Sequence, residues 1–405
     1  MRALIKKKPS NPPAWYQGLE LVDKPEPKVT VERPVKVKVM YAGICGTDVG
    51  IYQGKDSLAN SMARLSTPEV IIGHEFCGQI VELHNSAREF MAGLLLRHRP
   101  LSSAVAEYLA GKKLAEIMND PGLINFLTQN FYVTAEMHIT CGQCLQCRIG
   151  HQHVCKHTIG KGLHEDGTFA EYVTLPVNRL VLLEIGEVEP EIIAFMDALG
   201  NAVHTAQTVD LVGKTALITG AGIQGLMSCA VARQMGATKI IVTDYSVYSV
   251  AGAIDKLAVA RKLGADFTFD VRQPAEAQAL VDTIEKETGQ TGVDVVFEMS
   301  GNYAAFEQAF ANIRLGGTML LLGLPAGKLE VDFSKEVVFK GLTIQGIYGR
   351  RVFDTWDLMR YLLANGLAQT IKESGVITHK FALPDYEQGF QALLNGQAIK
   401  VLLKP

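Results

Sequence analysis

Two periods of hydrophobic patterning divide this chain. Near its start, Val35, Val37 and Val39 alternate with Lys36, Lys38 and Met40, the signature of a half-buried strand. Residues 79–83 and 167–173 also read as strands, so the first part is a region of short strands and turns. From residue 215 the pattern changes to unbroken apolar runs separated by helical spacing. The run 215–219 ends in a glycine turn, Leu226, Ala230, Val231 and Ala232 then recur at helical spacing, and Gly236 supplies a stop. Ile240, Ile241 and Val242 form a second buried strand closed by Asp244. Apolar runs at 293–299, 317–323 and 342–348 continue the alternation, which predicts an α/β fold with a doubly wound parallel sheet of six strands.

One stretch fits neither period. Within about 84–131, residues 103–118 read as a single helix stopped by Asn119-Asp-Pro-Gly122, flanked by apolar clusters at 94–96 and 123–127. The expectation is an inserted helical pair that contacts another subunit, with a partly ordered lid as the alternative. Residues 184–190 are the most linker-like stretch. Beyond Gly349, a helix at 356–363 and a final strand at 399–403 suggest a return to the first part. The expected domains are therefore 1–190, 191–348 and a C-terminal return over 349–405.

Length and composition narrow the class. With 405 residues, 48% of them apolar, the chain can fill a core in each of two domains. A net charge of −3 and the lack of any basic run with interleaved aromatics argue against a nucleic-acid partner. No apolar stretch approaches the span of a bilayer, and the opening Met-Arg-Ala-Leu-Ile-Lys-Lys-Lys lacks a signal core, so a cytoplasmic protein is expected. Of seven cysteines, four crowd between Cys141 and Cys155, which suits metal ligation in a reducing compartment better than disulfides.

The glycine turn carries the first candidate chemistry. Gly220 permits the tight turn, Gly222 lets backbone N–H groups approach a pyrophosphate, and Gly225 lets the next helix pack close to the sheet. Asp244 can accept from both ribose hydroxyls and would repel a 2′-phosphate, which favours NAD over NADP; the plainer reading of that acid is a helix cap. Cys45, His74 and Glu75 offer a thiolate, an imidazole and a carboxylate, a set suited to zinc with one position left open, and Asp48 could fix the histidine from behind. Singly, Cys45 and His74 also fit ordinary buried roles. Cys141, Cys144, Cys147 and Cys155 can surround one tetrahedral ion with no open position; an iron–sulfur cluster is the alternative. The helix-like stretch 197–204 places Asp197, Asn201 and His204 where they could line a pocket.

Together these motifs resemble the zinc-dependent medium-chain alcohol dehydrogenases over most of the chain. The shared segments are Gly-Ile-Cys-Gly-Thr-Asp at 43–48, Gly-His-Glu-Phe at 73–76, His-Ile-Thr-Cys at 138–141 with the cysteine quartet, and the glycine turn. Gly-Asn-Ala-Val-His-Thr at 200–205, Lys-Gly-Leu at 340–342 and Gly-Ile-Tyr-Gly-Arg at 346–350 make the chain most similar to the threonine-oxidising members. The resemblance implies a GroES-like barrel domain, holding one catalytic and one structural zinc, joined to a Rossmann domain that binds NAD, in a cytoplasmic tetramer. It implies oxidation of the 3-hydroxyl of threonine to 2-amino-3-oxobutanoate, with Thr47 as the first relay hydroxyl and Asp197 as an acid near the metal. Leu322, Gly323, Leu324, Ile347 and Tyr348 fall on segments that touch the cofactor, and Gln224 within the glycine turn and Lys256 after Asp244 are further cofactor candidates.

Four departures from that pattern stand out. Gly50 replaces a relay histidine, Gln224 replaces an apolar residue, and the 84–131 insertion replaces a turn and strand of the barrel. An extra piece at about Ser249 to Asp255 moves Lys256 away from the adenine ribose. Other readings are an NAD-dependent polyol dehydrogenase of the sorbitol or butanediol type, and a non-catalytic protein that binds NAD and zinc.

Overall fold

The strand Val35–Gly43 organises the first half of the fold. Its alternating residues Val35, Val37 and Val39 are buried, and it pairs antiparallel with Glu75–Leu83, Tyr172–Leu175 and Lys400–Lys404 in a seven-stranded sheet that also takes in Phe131–Ala135, Leu180–Glu184 and Ile377–Ala382. A smaller sheet of Glu20–Asp23, Arg2–Lys7 and Glu69–Ile71 completes the barrel-like core. The computed structural model describes residues 1–9, 15–245 and 251–405.

These elements form one of two compact units, Met1–Asp197 with His379–Leu394 and Lys400–Pro405. The other unit is Ala198–Thr378 with Asn395–Ile399. The division falls inside the helix Met196–Ala206 rather than at the linker-like stretch before 190, and the tail rejoins the first unit only from His379.

The insertion departs from the expected pair of helices. It folds as Arg88–Arg97, Ser103–Leu109, Leu114–Met118 and Leu123–Asn130, because Gly111 turns left-handed (φ 69°) and breaks the helix expected over 103–118. Met91, Leu95, Val105, Ile117, Leu123 and Leu127 are all buried; Arg88–Arg97 packs on Leu114–Met118, while Leu123–Asn130 lies against strand Glu75–Leu83. Glu184, at the end of strand Leu180–Glu184, fastens it: the carboxylate accepts from Leu101 N (2.7 Å), Ser102 N (2.9 Å) and Ser102 Oγ (2.7 Å), and His98 Nε2 lies 2.7 Å away.

The second unit carries the predicted six-stranded parallel sheet. Its spatial order is Phe267–Asp270, Lys239–Asp244, Thr215–Thr219, Val293–Glu298, Ile313–Leu321, Thr343–Gly346, so the order reverses next to the first strand. The two central strands are buried almost throughout, as apolar runs covered on both faces should be. Among the described residues, no helix is long and apolar enough to cross a membrane.

Candidate active site and metal centres

Strand register builds the first cluster. Gly43 pairs with Glu75 at the ends of antiparallel strands, which sets Cys45, just past one strand, beside His74, just before the other. One ligand atom from each of Cys45, His74 and Glu75 lies within 4.8 Å of the others. Asp48 ties two of them together, its Oδ2 accepting from Cys45 N at 2.9 Å and its Oδ1 lying 3.5 Å from His74 Nδ1. Burial would lower the pKa of His74, but the charges of Asp48 and Cys45 outweigh it and hold the imidazole well above its usual range. A pocket that draws a proton onto its histidine favours a cation. With Asp48 facing Nδ1, Nε2 is left for a metal.

Glu75 is 1% exposed, and only glycine fits opposite it: a Cβ on Gly43 would fall 2.3 Å from Glu75 Oε2. The ammonium of Lys400, fully buried in the last strand, pairs with that oxygen and donates to Ile44 O at 2.9 Å. Burial, helped by Asp197, pushes the Glu75 pKa up, and Lys400 and His74 oppose it without cancelling it. Lys400 was absent from the sequence reading. Its one signal was a lysine beginning an otherwise apolar closing strand.

Thr47 is half-buried on the helix Gly46–Tyr52, one residue before Asp48, and Asp197 is 7% exposed. On the same helix, a Cβ on Gly50 would lie 2.6 Å from Leu58 Cδ1 and 3.4 Å from Lys55 Cδ. Leu58, on the next helix Asp56–Met62, therefore occupies the space into which a histidine at 50 would grow.

The spacing of the four thiols bears on the two readings of the cysteine lobe. Sulfur–sulfur distances are 3.5 Å (Cys144–Cys147), 3.6 Å (Cys155–Cys141), 3.8 Å (Cys144–Cys155) and 4.0 Å (Cys141–Cys147). A tetrahedron with Zn–S bonds of about 2.3 Å has edges of about 3.8 Å, so the lobe matches one mononuclear ion. A four-iron cluster would place its own core between the sulfurs and spread them. Backbone N–H groups of Cys141 and His157 point at Cys155 Sγ, at 3.4 and 3.3 Å.

In the other unit, Gly220 ends the strand Thr215–Thr219 and Gly222 caps the helix Ile223–Gln234. A Cβ on Gly225 would fall 1.8 Å from Gly220 O, so the close helix–turn contact demands glycine. The open amino end of a 12-residue helix beside that turn suits a pyrophosphate. Gln224 is half-buried, and its Oε1 has no hydrogen-bond partner among the described residues. Asp244 ends the neighbouring strand, level with Asp270 of the next. Lys256 begins the helix Lys256–Lys262 behind its cap Asp255, while Ser249 and Val250 lie outside the described residues.

Leu322 and Gly323 are half-buried and Leu324 is 93% exposed; Ile347 is buried and Tyr348 exposed. The residue that gathers the two loops here is Glu298, missed in the sequence although it is an acid closing a buried strand. Its carboxylate accepts from Ser300 N and Gly301 N, both at 3.0 Å, and its carbonyl accepts from Leu322 N (3.1 Å) and Gly323 N (3.0 Å). Two segments that the sequence marked as distinctive also meet: Arg350, 1% exposed, donates to Asn201 Oδ1 at 3.2 Å, and His204 Nδ1 lies 2.8 Å from Gly349 O.

Oxidising an alcohol removes a proton and a hydride. One unit offers an open ligand set for a Lewis-acidic ion, which eases the first loss, and the other offers a dinucleotide turn for a hydride acceptor, which takes the second. Those two losses are the chemistry of a zinc-dependent dehydrogenase, and the two units carry one half of it each. The chain belongs to the medium-chain zinc dehydrogenases: residues 32–112 and 131–185 match the alcohol dehydrogenase GroES-like domain, and 224–365 match the zinc-binding dehydrogenase family. The unmatched gap falls inside the helical insertion.

An L-threonine 3-dehydrogenase of Shewanella frigidimarina is 36% identical over 404 residues, covering 100% of this chain and 99% of the relative. An alcohol dehydrogenase of Thermotoga maritima shares the fold at a TM-score of 0.76 and 22% identity, covering 100% of this chain and 99% of that one. The 2R,3R-butanediol dehydrogenase of Bacillus subtilis does so at 0.73 and 23%, with the same coverage.

Proposed function

We propose that this enzyme oxidises the 3-hydroxyl of L-threonine, passing hydride to NAD and yielding 2-amino-3-oxobutanoate, a step of threonine degradation. The observation that carries this reading is the full-length likeness to an L-threonine 3-dehydrogenase. Cys45, His74 and Glu75 would hold the catalytic zinc and the four cysteines the structural one. When bound, the catalytic ion supplies Lewis acidity to a substrate hydroxyl.

The chain's own residues do the rest. Asp48 orients His74 and Cys45, Thr47 accepts the departing proton and hands it outward, and Asp197 adds a second carboxylate beside Glu75. Gly220, Gly222 and Gly225 seat the dinucleotide, and Asp244 selects NAD by accepting from its ribose hydroxyls. A cytoplasmic homo-oligomer, a tetramer by resemblance, accompanies this reading. The outermost strand Thr343–Gly346 has exposed Leu315, Val338 and Phe339 (69–81%) among its neighbours, a surface suited to another copy.

The deciding measurement is NADH formation with L-threonine, sorbitol and 2,3-butanediol side by side. Threonine should lead in kcat/KM by at least about a hundredfold, because a site that binds its ammonium and carboxylate leaves buried polar groups unpaired with a diol. A diol that equals or beats threonine would overturn the substrate assignment.

Gly50 gives a second expectation. With Leu58 in the way, Gly50→His alone should do little, whereas Gly50→His with Leu58→Ala should speed turnover near neutral pH and shift its pH profile. Water can replace a remote relay group, so the gain should sit near the low end of the roughly hundred- to ten-thousand-fold span of acid–base catalysis. An unchanged rate and profile in the double variant would remove any relay role for this position.

A further inference from the structure

Four thiolates around a divalent ion leave two uncompensated negative charges, and the cysteine lobe must balance them. Backbone N–H groups supply part of the answer. The basic side chains on the lobe itself, Arg148 and Lys156, are exposed and screened by water. One guanidinium is not. Arg179, 6% exposed, comes from outside the lobe, from the single turn Val177–Arg179 ahead of strand Leu180–Glu184.

Its placement brackets the cysteines. Nη2 donates to Thr140 Oγ1 at 2.7 Å, and Thr140 immediately precedes Cys141. Nη1 donates to Gln152 Oε1 at 3.2 Å, and Gln152 lies three residues before Cys155. Thr140 Oγ1 also donates to Gln152 Oε1 at 3.2 Å, which joins the two ends of the lobe. The third nitrogen, Nε, is buried and has no hydrogen-bond partner among the described residues. Burial opposes the charge of Arg179, while Glu136 and the sulfurs of Cys147 and Cys155 favour it. A buried cation with an unspent donor is expensive unless an anion nearby needs it.

We infer that Arg179 is the internal counter-ion of the four-cysteine centre: its buried guanidinium offsets the excess charge of the metal–thiolate group while its two hydrogen-bonded arms hold the ends of the lobe in place. This rests on reading the four cysteines as a metal site. Arg179 is a positioning residue; it touches neither substrate nor cofactor.

The test uses the full-length enzyme with Arg179→Gln, Arg179→Lys and Thr140→Val. Glutamine can still donate to Thr140 or Gln152 but carries no charge; lysine keeps the charge and loses the fork. The readouts are zinc transfer from the lobe to a chromogenic chelator and the thiolate–cobalt absorption band after cobalt substitution. Arg179→Gln should weaken metal retention by about ten- to a hundredfold, the range typical of residues behind metal ligands. Arg179→Lys should recover most of that loss, and Thr140→Val should fall short of it. Retention in Arg179→Gln equal to wild type, or lysine as poor as glutamine, would overturn the counter-ion role. If Arg179→Gln does not fold, the lysine and Thr140→Val comparison still decides, since a purely hydrogen-bonding role predicts that both lose metal alike. A wild-type protein whose four cysteines take up neither zinc nor cobalt would instead remove the metal-site reading beneath it.

Discussion

Cys45→Ser removes turnover with every alcohol while the protein still binds NAD. The serine hydroxyl stays neutral near pH 7, so the substitution deletes the thiolate charge and the soft donor from a three-residue set whose ligand atoms lie within 4.8 Å of one another. It leaves Asp48 with its Cys45 N–H contact but takes away one of the two anions that hold His74 above its usual pKa. The Lewis acidity lost with the ion amounts to several kcal/mol, so the rate should fall on the order of a thousandfold or more. Neither the glycine turn nor the cysteine lobe contains Cys45. Metal analysis should therefore show one zinc per chain where the parent holds two, and calorimetric titration should show NAD affinity preserved. An active Cys45→Ser protein with a single zinc would end the metal-assisted account.

The parts of this site that could be read in advance are those whose ligands travel in short motifs. Gly-Ile-Cys-Gly-Thr-Asp and Gly-His-Glu-Phe each hold their donors within a few residues, and strand register does the remaining work by pairing Gly43 with Glu75. The glycine turn was legible for the same reason: every close contact it needs, such as Gly225 against Gly220 O, is local. What escaped were charged groups that reach the site from distant elements. Lys400 arrives on the final strand, Glu298 gathers two loops at the end of its strand, and Glu184 holds the insertion from a strand that follows it. A sequence marks each as one charge beside an apolar run, without its partner. Gly111 is the opposite failure, a local signal weighed too lightly within an apparently continuous helix.

Lys400→Met should destabilise the metal-free enzyme by about 3–5 kcal/mol, the usual penalty for leaving one member of a buried ion pair behind. Glu75 cannot turn to water, since it is 1% exposed and its Oε2 sits where a Cβ on Gly43 would collide. With the ammonium gone, burial and the nearby Asp197 both disfavour the carboxylate, and only His74 still helps it. Two measurements separate this electrostatic account from simple loss of packing around a long side chain. Adding Glu75→Gln to Lys400→Met removes the orphaned charge, so the double variant should regain most of the loss in a denaturant melt. Zinc should also stabilise Lys400→Met more than it stabilises the parent, because a cation replaces the missing ammonium and a ligand that binds only the folded state adds stability in proportion to its affinity. If the double variant melts where Lys400→Met does and zinc lifts both proteins equally, Lys400 acts through its volume and not through its charge.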